Sequence, residues 1–418
     1  RRHTRFKCDW SSDVCSSDLI GQNISKTKFK LNVTSYFGKR SATAGTTELD
    51  IDAIAATIRR SEELARIAPE DPEWVPLLEA QTYENRTPAF DELTATISPL
   101  ARAKMVQGVC AASAKAGANG SGTLSTDASS IAIANSNGLR GCDRYTKADF
   151  SFTARIEDGS SWNRRTAWGI GQLPVEEAAA ETIDRALATR QPREVSPGVY
   201  PVIFSNAAFA DLLMWAIGNL DARAADEGRS FMSRTDENGN PIGNRLGEQM
   251  FNPLVRVDRD PGHPLLQLGR FFPNGLRGDR LEVIKDGIPQ ALAYSRYWAQ
   301  KQGKESQGSM FPFVMEGSQD SLGDIIGRSD GAIFVNRAWY VRYVNPRTLE
   351  VTGMTRDGTF FIKDGIIAYP IKNLRFNQVL PEMLAGVDAV SKVERCGNNV
   401  APGVRVKAFN FSSVTDSV

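Results

Sequence analysis

Histidine is nearly missing from this chain, which carries two in 418 residues. One of them, His3, lies in an opening stretch, RRHTRFKCDWSSDVCSSDL, that has no apolar segment and no periodicity. Codon by codon, that stretch matches one reading frame of a short-read sequencing adapter with its index bases. Residues 1–19 are therefore expected to be adapter-derived and are set aside from fold reasoning. A single histidine, His263, remains, which excludes a metal centre built on several imidazoles. Cysteine is scarce too. Cys110, Cys142 and Cys396 form an odd, widely spaced set that argues against a disulfide framework and for a reducing compartment. The cytoplasm is the expected location. The authentic start of the protein is expected to be missing, so a signal peptide is not assessable.

Charge excess is also lacking. Without residues 1–19, basic and acidic side chains number 46 each, which leaves no bulk field to draw nucleic acid or a membrane surface. No apolar run reaches the roughly 20 residues that a membrane-spanning helix needs. The nearest, residues 201–220, is interrupted by Asn206, Asp211 and Asn219 and reads as a buried strand and helix.

What is present points to an α+β protein of two domains. Over residues 49–68, Ile51, Ile54, Ile58, Leu64 and Ile67 recur at helical spacing, with Pro69 past the end. Ser98-Pro99 reads as a cap and first helical position. The helix it opens should bury Met105, Val106, Val109 and Cys110. Strands are expected at 129–134 and 139–144 around the tight turn Asn137-Gly138, then over 150–156, before a third helix at about 174–189. The polar stretch 190–198, RQPREVSPG, marks a boundary. Past it come a strand at 199–204, a helix over about 206–226 and a polar, glycine-rich region to about 280. A meander follows, over 332–343, 349–355, 359–363 and 366–369, with Asp-Gly turns at 330, 357 and 364 and a further Asp-Gly pair at 286. The expected division is helices on an antiparallel sheet over 20–195, a β-rich domain over 196–390 and a loosely ordered tail over 391–418.

Several stretches resemble the TldD/PmbA family. They are DARAADEGRSF (221–231), AYSRYWAQKQG (293–303), NRAWYVRYVNPRTLEVTGMTRDGTFFIKDG (336–365) and AYPIKNLRFN (368–377), joined by RRSEELARIAPEDPEW (59–74) and AIANSNGL (132–139). The resemblance covers about residues 20–385 and implies a metallopeptidase-related protein. Active members are dimers that admit extended, unfolded peptides into an enclosed cavity. A His-Glu-x-x-x-His helix and a distant cysteine hold zinc there, and the glutamate deprotonates the bound water. The matching stretch here is LLMWAIGN (212–219). Met214 and Asn219 stand at the histidine positions and Trp215 at the glutamate. On a straight helix those first and last positions point about 140° apart, at ~100° per residue. The resemblance therefore implies a PmbA-type (TldE-like) subunit that lacks zinc, has no cofactor of its own, and forms a heterodimer with a metal-bearing TldD-like partner or a homodimer.

Two other readings concern the polar run that follows. Asp221, Asp226 and Glu227 could serve as acid and base in a metal-independent hydrolase, with Arg223 and Arg229 gripping a peptide. Alternatively the run pairs internally, as its spacing of three to five favours. Arg337, Trp339, Tyr340 and Arg342 alternate along one predicted strand, with Arg356 in the next turn. They read as a two-faced strand or as an edge for a peptide backbone, and Tyr297 and Trp298 could line the same cavity. A non-catalytic peptide-binding homodimer is the third alternative. His263 sits in a turn-like DPGHP, Cys396 reads as a solvent-facing thiol, and Cys110 as packing.

Overall fold

A computed structural model describes residues 22–415 and the backbone of a strand at Arg2–Lys7. The rest of the adapter-like stretch lies outside the described residues. Arg2–Lys7 pairs antiparallel with residues 121–126 and, on its other side, with Gln22–Ser25. An open edge accepts an extended segment through its backbone whatever that segment's origin.

The first native unit is a hairpin, β1 (Leu31–Phe37) and β2 (Arg40–Thr46), crossed by α1 (Ile51–Ile67). Asp50 caps α1 by accepting from the Ala53 amide at 2.8 Å. The helix falls where its spacing places it, but it buries a different stripe. Thr57, Ser61 and Ala65 face the hairpin, and the Ser35 and Ser61 hydroxyls bond at 2.6 Å. Ile51 and Ile67 are 85% and 80% exposed. A two-stranded platform is narrow, so it covers only the small residues that let backbones approach.

Ser98 and Pro99 open α2 (Pro99–Lys115), which buries Val106, Val109 and Cys110 as expected. It packs with α3 (Val175–Ala188) against a meander of β3 (Asn119–Ala134), β4 (Arg140–Ile156) and β5 (Gly159–Ala167). Asn137-Gly138 makes the turn, with Gly138 at φ +85°. The two strands expected after it, 139–144 and 150–156, form one continuous strand paired on both sides.

In the second domain β6 (Gly198–Phe204) leads into α4 (Asn206–Gly218) and a short α5 (Ala222–Asp226). The helix expected over 206–226 breaks where Asn219 caps α4 and Asp221 starts α5. Then come β7 (Ala332–Asn345), β8 (Glu350–Lys363), β9 (Leu374–Val379), β10 (Val387–Cys396) and β11 (Asn399–Val414). Strand β6 runs parallel to β7 and antiparallel to β11, while β8 and β9 join β7 to β11. Five strands thus close into a barrel without free lateral edges in its body. Phe204, Phe376, Phe409 and Phe411 interlock in its core with Phe209 and Leu213 of α4.

Two expectations are corrected in this domain. The tail expected to be loosely ordered over 391–418 is ordered through residue 415, beyond which it lies outside the described residues: β11 is a central strand that turns Val404, Val406, Phe409 and Phe411 inward. Asp357-Gly358 is not a turn either. Strand β8 runs through it, and the pair forms a two-against-one bulge opposite Asn336, with Asp357 at φ +53° and Gly358 at φ +122°. A bulge needs the same left-handed backbone that a tight turn needs, but it redirects a side chain without reversing the strand.

Candidate functional site

Helix α4 sets the site. Ser205 caps it, accepting from Ala208 N at 3.1 Å while its hydroxyl donates to the Asn336 carbonyl on β7 at 2.7 Å. Of the three positions expected to match the zinc motif, Trp215 and Asn219 are engaged with Tyr343 on β7. Trp215 sets its ring edge-on to Tyr343, centroids 4.6 Å apart at 87°. The Asn219 amide donates to the Trp215 carbonyl at 2.7 Å and to the Tyr343 hydroxyl at 2.8 Å. Met214 stays 44% exposed. A thioether, an indole and an amide already bound to tyrosine do not make a tetrahedral zinc site. Among the described residues no three His, Cys, Asp or Glu side chains gather into a metal-sized group.

Beside α4 the two domains meet. The β8 bulge drives Asp357 inward, where its carboxylate takes Arg337 at 2.7 Å and the Ser160 hydroxyl at 3.1 Å and is only 1% exposed. Arg337 lies over both Trp162 and Trp339, 4.2 Å from each centroid, and Arg356 covers Trp339 from 5.3 Å. Asn336 donates to the Trp162 carbonyl at 2.9 Å and accepts from Arg185 at 3.1 Å. Burial lowers the Arg337 pKa, opposed by Asp357. Farther out, a second bulge between Trp339 and Arg342 puts Tyr340 at φ +57°, and Arg342 stacks on the Tyr340 ring at 3.6 Å. Beyond Val335 no described strand pairs with the outer edge of β7.

The remaining candidates lie elsewhere and hold structure. Asp221 caps α5 by accepting from Ala224 N at 2.7 Å. Asp226 accepts from the Trp298 indole at 2.7 Å and from Asn244 at 2.8 Å. Glu227 binds Arg223 at 3.0 Å and Arg229 at 2.5 Å, and Arg223 reaches Glu73 at 2.7 Å. The two arginines hold the Glu227 carboxyl below its usual range. Trp298 is 4% exposed, and Tyr297 packs partly buried on the core. The run 221–229 is thus bonded within itself and to Glu73, Asn244 and Trp298. His263 accepts from Leu265 N at 3.3 Å in its turn, and burial lowers its pKa against Asp260. Cys396 is not the solvent-facing thiol expected. It packs partly buried against the core, and burial, aided by Glu394 and Asp211, pushes it up to about 12.

Sequence reasoning missed Asp211, Asp357 and Tyr343. Asp211 sits one turn before Met214 and Trp215 on the same helical face. The residue is exposed, while desolvation of its carboxyl pushes it up to about 6 against the lowering effect of Arg337 and Arg164. A lone aspartate on an otherwise apolar helix was the available signal.

The PmbA/TldA metallopeptidase C-terminal domain matches residues 197–413, and the central domain of the same family matches residues 92–190. The chain belongs to the PmbA/TldD family. A curated relative, Metalloprotease PmbA of Escherichia coli O157:H7, is 23% identical over 401 residues, 90% of this chain and 85% of that protein. The fold matches the crystal structure of TldE from Thermococcus kodakarensis with a TM-score of 0.81 at 19% identity, over 99% of this chain and 95% of that one. A candidate modulator of DNA gyrase from Bacteroides thetaiotaomicron matches equally, with a TM-score of 0.81 at 17% identity over 99% and 92% of the two chains. The match to the C-terminal domain spans α4, the barrel and both bulges of β7 and β8.

Proposed function

We propose that this chain is a PmbA-type subunit without zinc that binds extended peptides and acts in proteolysis, in the cytoplasm, beside a metal-bearing relative. The observation that carries the proposal is the state of α4. The helix keeps its place in the family fold, but Trp215 and Asn219 are locked onto Tyr343. The cleft around it supports peptide binding. The outer half of β7 offers an unpaired backbone edge, rimmed by exposed Trp339, Tyr340 and Tyr343, which suits an extended chain with apolar side chains. The bulge at Tyr340 limits regular pairing to the segments on either side of it. Against the metal-independent alternative, Asp221, Asp226 and Glu227 are each engaged in a cap or a pair.

Co-purification with a family member that has an intact His-Glu-x-x-x-His helix, followed by a peptide-cleavage assay, tests the proposal. The pair should cleave an unfolded peptide in a chelator-sensitive way, and this chain alone should bind that peptide without cleaving it. Chelator-insensitive cleavage by this chain alone would overturn it.

A further inference from the structure

A second cleft between the domains holds a cation whose bonding is incomplete. Arg395, near the end of β10, is 9% exposed. Its Nε donates to the Gly397 carbonyl at 2.9 Å, and Nη1 donates to the carbonyls of Leu265 at 2.9 Å and Leu266 at 3.5 Å. The remaining nitrogen, Nη2, is buried and has no partner. Among the described residues no carboxylate pairs with Arg395. Asp149, behind the lining residue Thr166, is taken by Arg164 at 2.8 Å and by the Thr166 hydroxyl at 2.8 Å. Glu394 faces Arg165 at 3.8 Å. The cleft has a volume of about 490 Å³. Its walls are Trp168, Leu173 and Pro174 from the first domain and Pro264, Leu265 and Val393 from the second, and Arg395 is its one buried charged lining residue. Leu265 is 40% exposed, so the cleft opens to solvent. A concave, mostly apolar site with one unsatisfied charged donor has the make-up of a small-ligand pocket.

We propose that this cleft binds a carboxylate carrying an apolar group, with Nη2 of Arg395 donating to a carboxylate oxygen and the hydrocarbon resting against Trp168 and Leu265. As the cleft stands, Nη2 is closed to water, so binding turns a lining side chain aside. Phosphate or sulfate fits less well, because its oxygens need several donors and Arg395 has one nitrogen left. Two sources supply the chemistry: the last residue of an extended peptide, or a free aromatic or aliphatic acid. The peptide source rests on the peptide-binding reading above and adds to it a preference for a free C-terminus after an apolar residue.

Calorimetric titration at pH 7.5 compares acetyl-Ala-Ala-Phe with a free C-terminus, the same peptide as its amide, and 3-phenylpropionate, on the full chain and two variants. The acid peptide should bind about tenfold more tightly than the amide, from one charge-assisted bond. Arg395→Gln should erase that preference. Arg395 also holds three carbonyls, so thermal melting checks that this variant folds. Leu265→Glu is the second variant. It leaves the carbonyl at 265 in place, sets a like charge in the cleft and should also erase the preference. Equal binding of acid and amide, or a preference that survives Leu265→Glu, overturns the assignment and leaves peptide binding intact. A preference shown by the peptides, with no binding of 3-phenylpropionate, names the peptide C-terminus as the ligand. If 3-phenylpropionate binds the wild-type chain but not Leu265→Glu, while neither peptide binds, the carboxylate site stands and the peptide reading falls. If none of the three binds, both fall.

Discussion

The Asp357→Ala variant is expected to melt well below the wild type, because of what the lost carboxylate leaves behind. Asp357 is 1% exposed and Arg337 keeps 17% of its side-chain surface. Removing the acid strands a largely buried guanidinium and leaves the Ser160 hydroxyl without its acceptor at 3.1 Å. Breaking a buried pair from one side costs about 3–5 kcal/mol. The lower end applies, since Arg337 keeps some water and its two indole contacts. At roughly 2–4 °C per kcal/mol for a domain of this size, 3 kcal/mol corresponds to about 6–12 °C. Thermal unfolding followed by circular dichroism measures the shift. Adding Arg337→Met should recover part of it by removing the unpaired charge, so the two changes should couple strongly in a double-mutant cycle. A fall of less than about 2 °C for Asp357→Ala would refute the view that this bulge binds the domains through a buried pair.

Three further outcomes follow from the geometry. The folded pKa of Asp211, about 6, lies above the unfolded 3.8, so the folded state binds the proton more tightly and stability is lost as pH rises between those values. Asp211→Asn should match the wild type near pH 4 and exceed it at pH 7.5 by on the order of 1 kcal/mol, discounted for solvent access; urea titrations at both pH values check this, and a wild type that is more stable at pH 7.5 contradicts it. Cys142 is exposed, whereas Cys396 is partly buried with its thiol near 12. Iodoacetamide at pH 8 should therefore label Cys142 well before Cys396, as peptide mass spectrometry would show. A Cβ on Gly353 would lie 2.5 Å from the ring of Phe376 inside the barrel, so Gly353→Ala should cost about 1–3 kcal/mol in denaturant unfolding.

Much of the scaffold was legible where one local rule decided the outcome. Ser98-Pro99 could only open a helix, and Asn137-Gly138 could only turn a hairpin. Errors came where two structures share one signal. Asp357-Gly358 carries the left-handed backbone of a turn and of a bulge alike, and only the register of β7 against β8 separates them. Val404 and Val406 alternate, as do Phe409 and Phe411, but the three-residue step between the pairs, where the register shifts, breaks the period and hides the strand among polar neighbours. For α1 the apolar spacing was real, yet the width of the hairpin beneath it chose which stripe was buried. The family stretches were readable residue by residue, and the family match over 197–413 includes Met214, Trp215 and Asn219. The burial of Asp357 was not, because it depends on the register of β7 against β8 and on Arg337 reaching it, and sequence spacing does not record that.

Metal content bears most directly on the reading of α4. The chain, expressed in zinc-supplemented medium and purified without chelator, should carry only trace zinc by inductively coupled plasma mass spectrometry. One equivalent of zinc per chain, lost when Met214 or Cys396 is replaced, would contradict it.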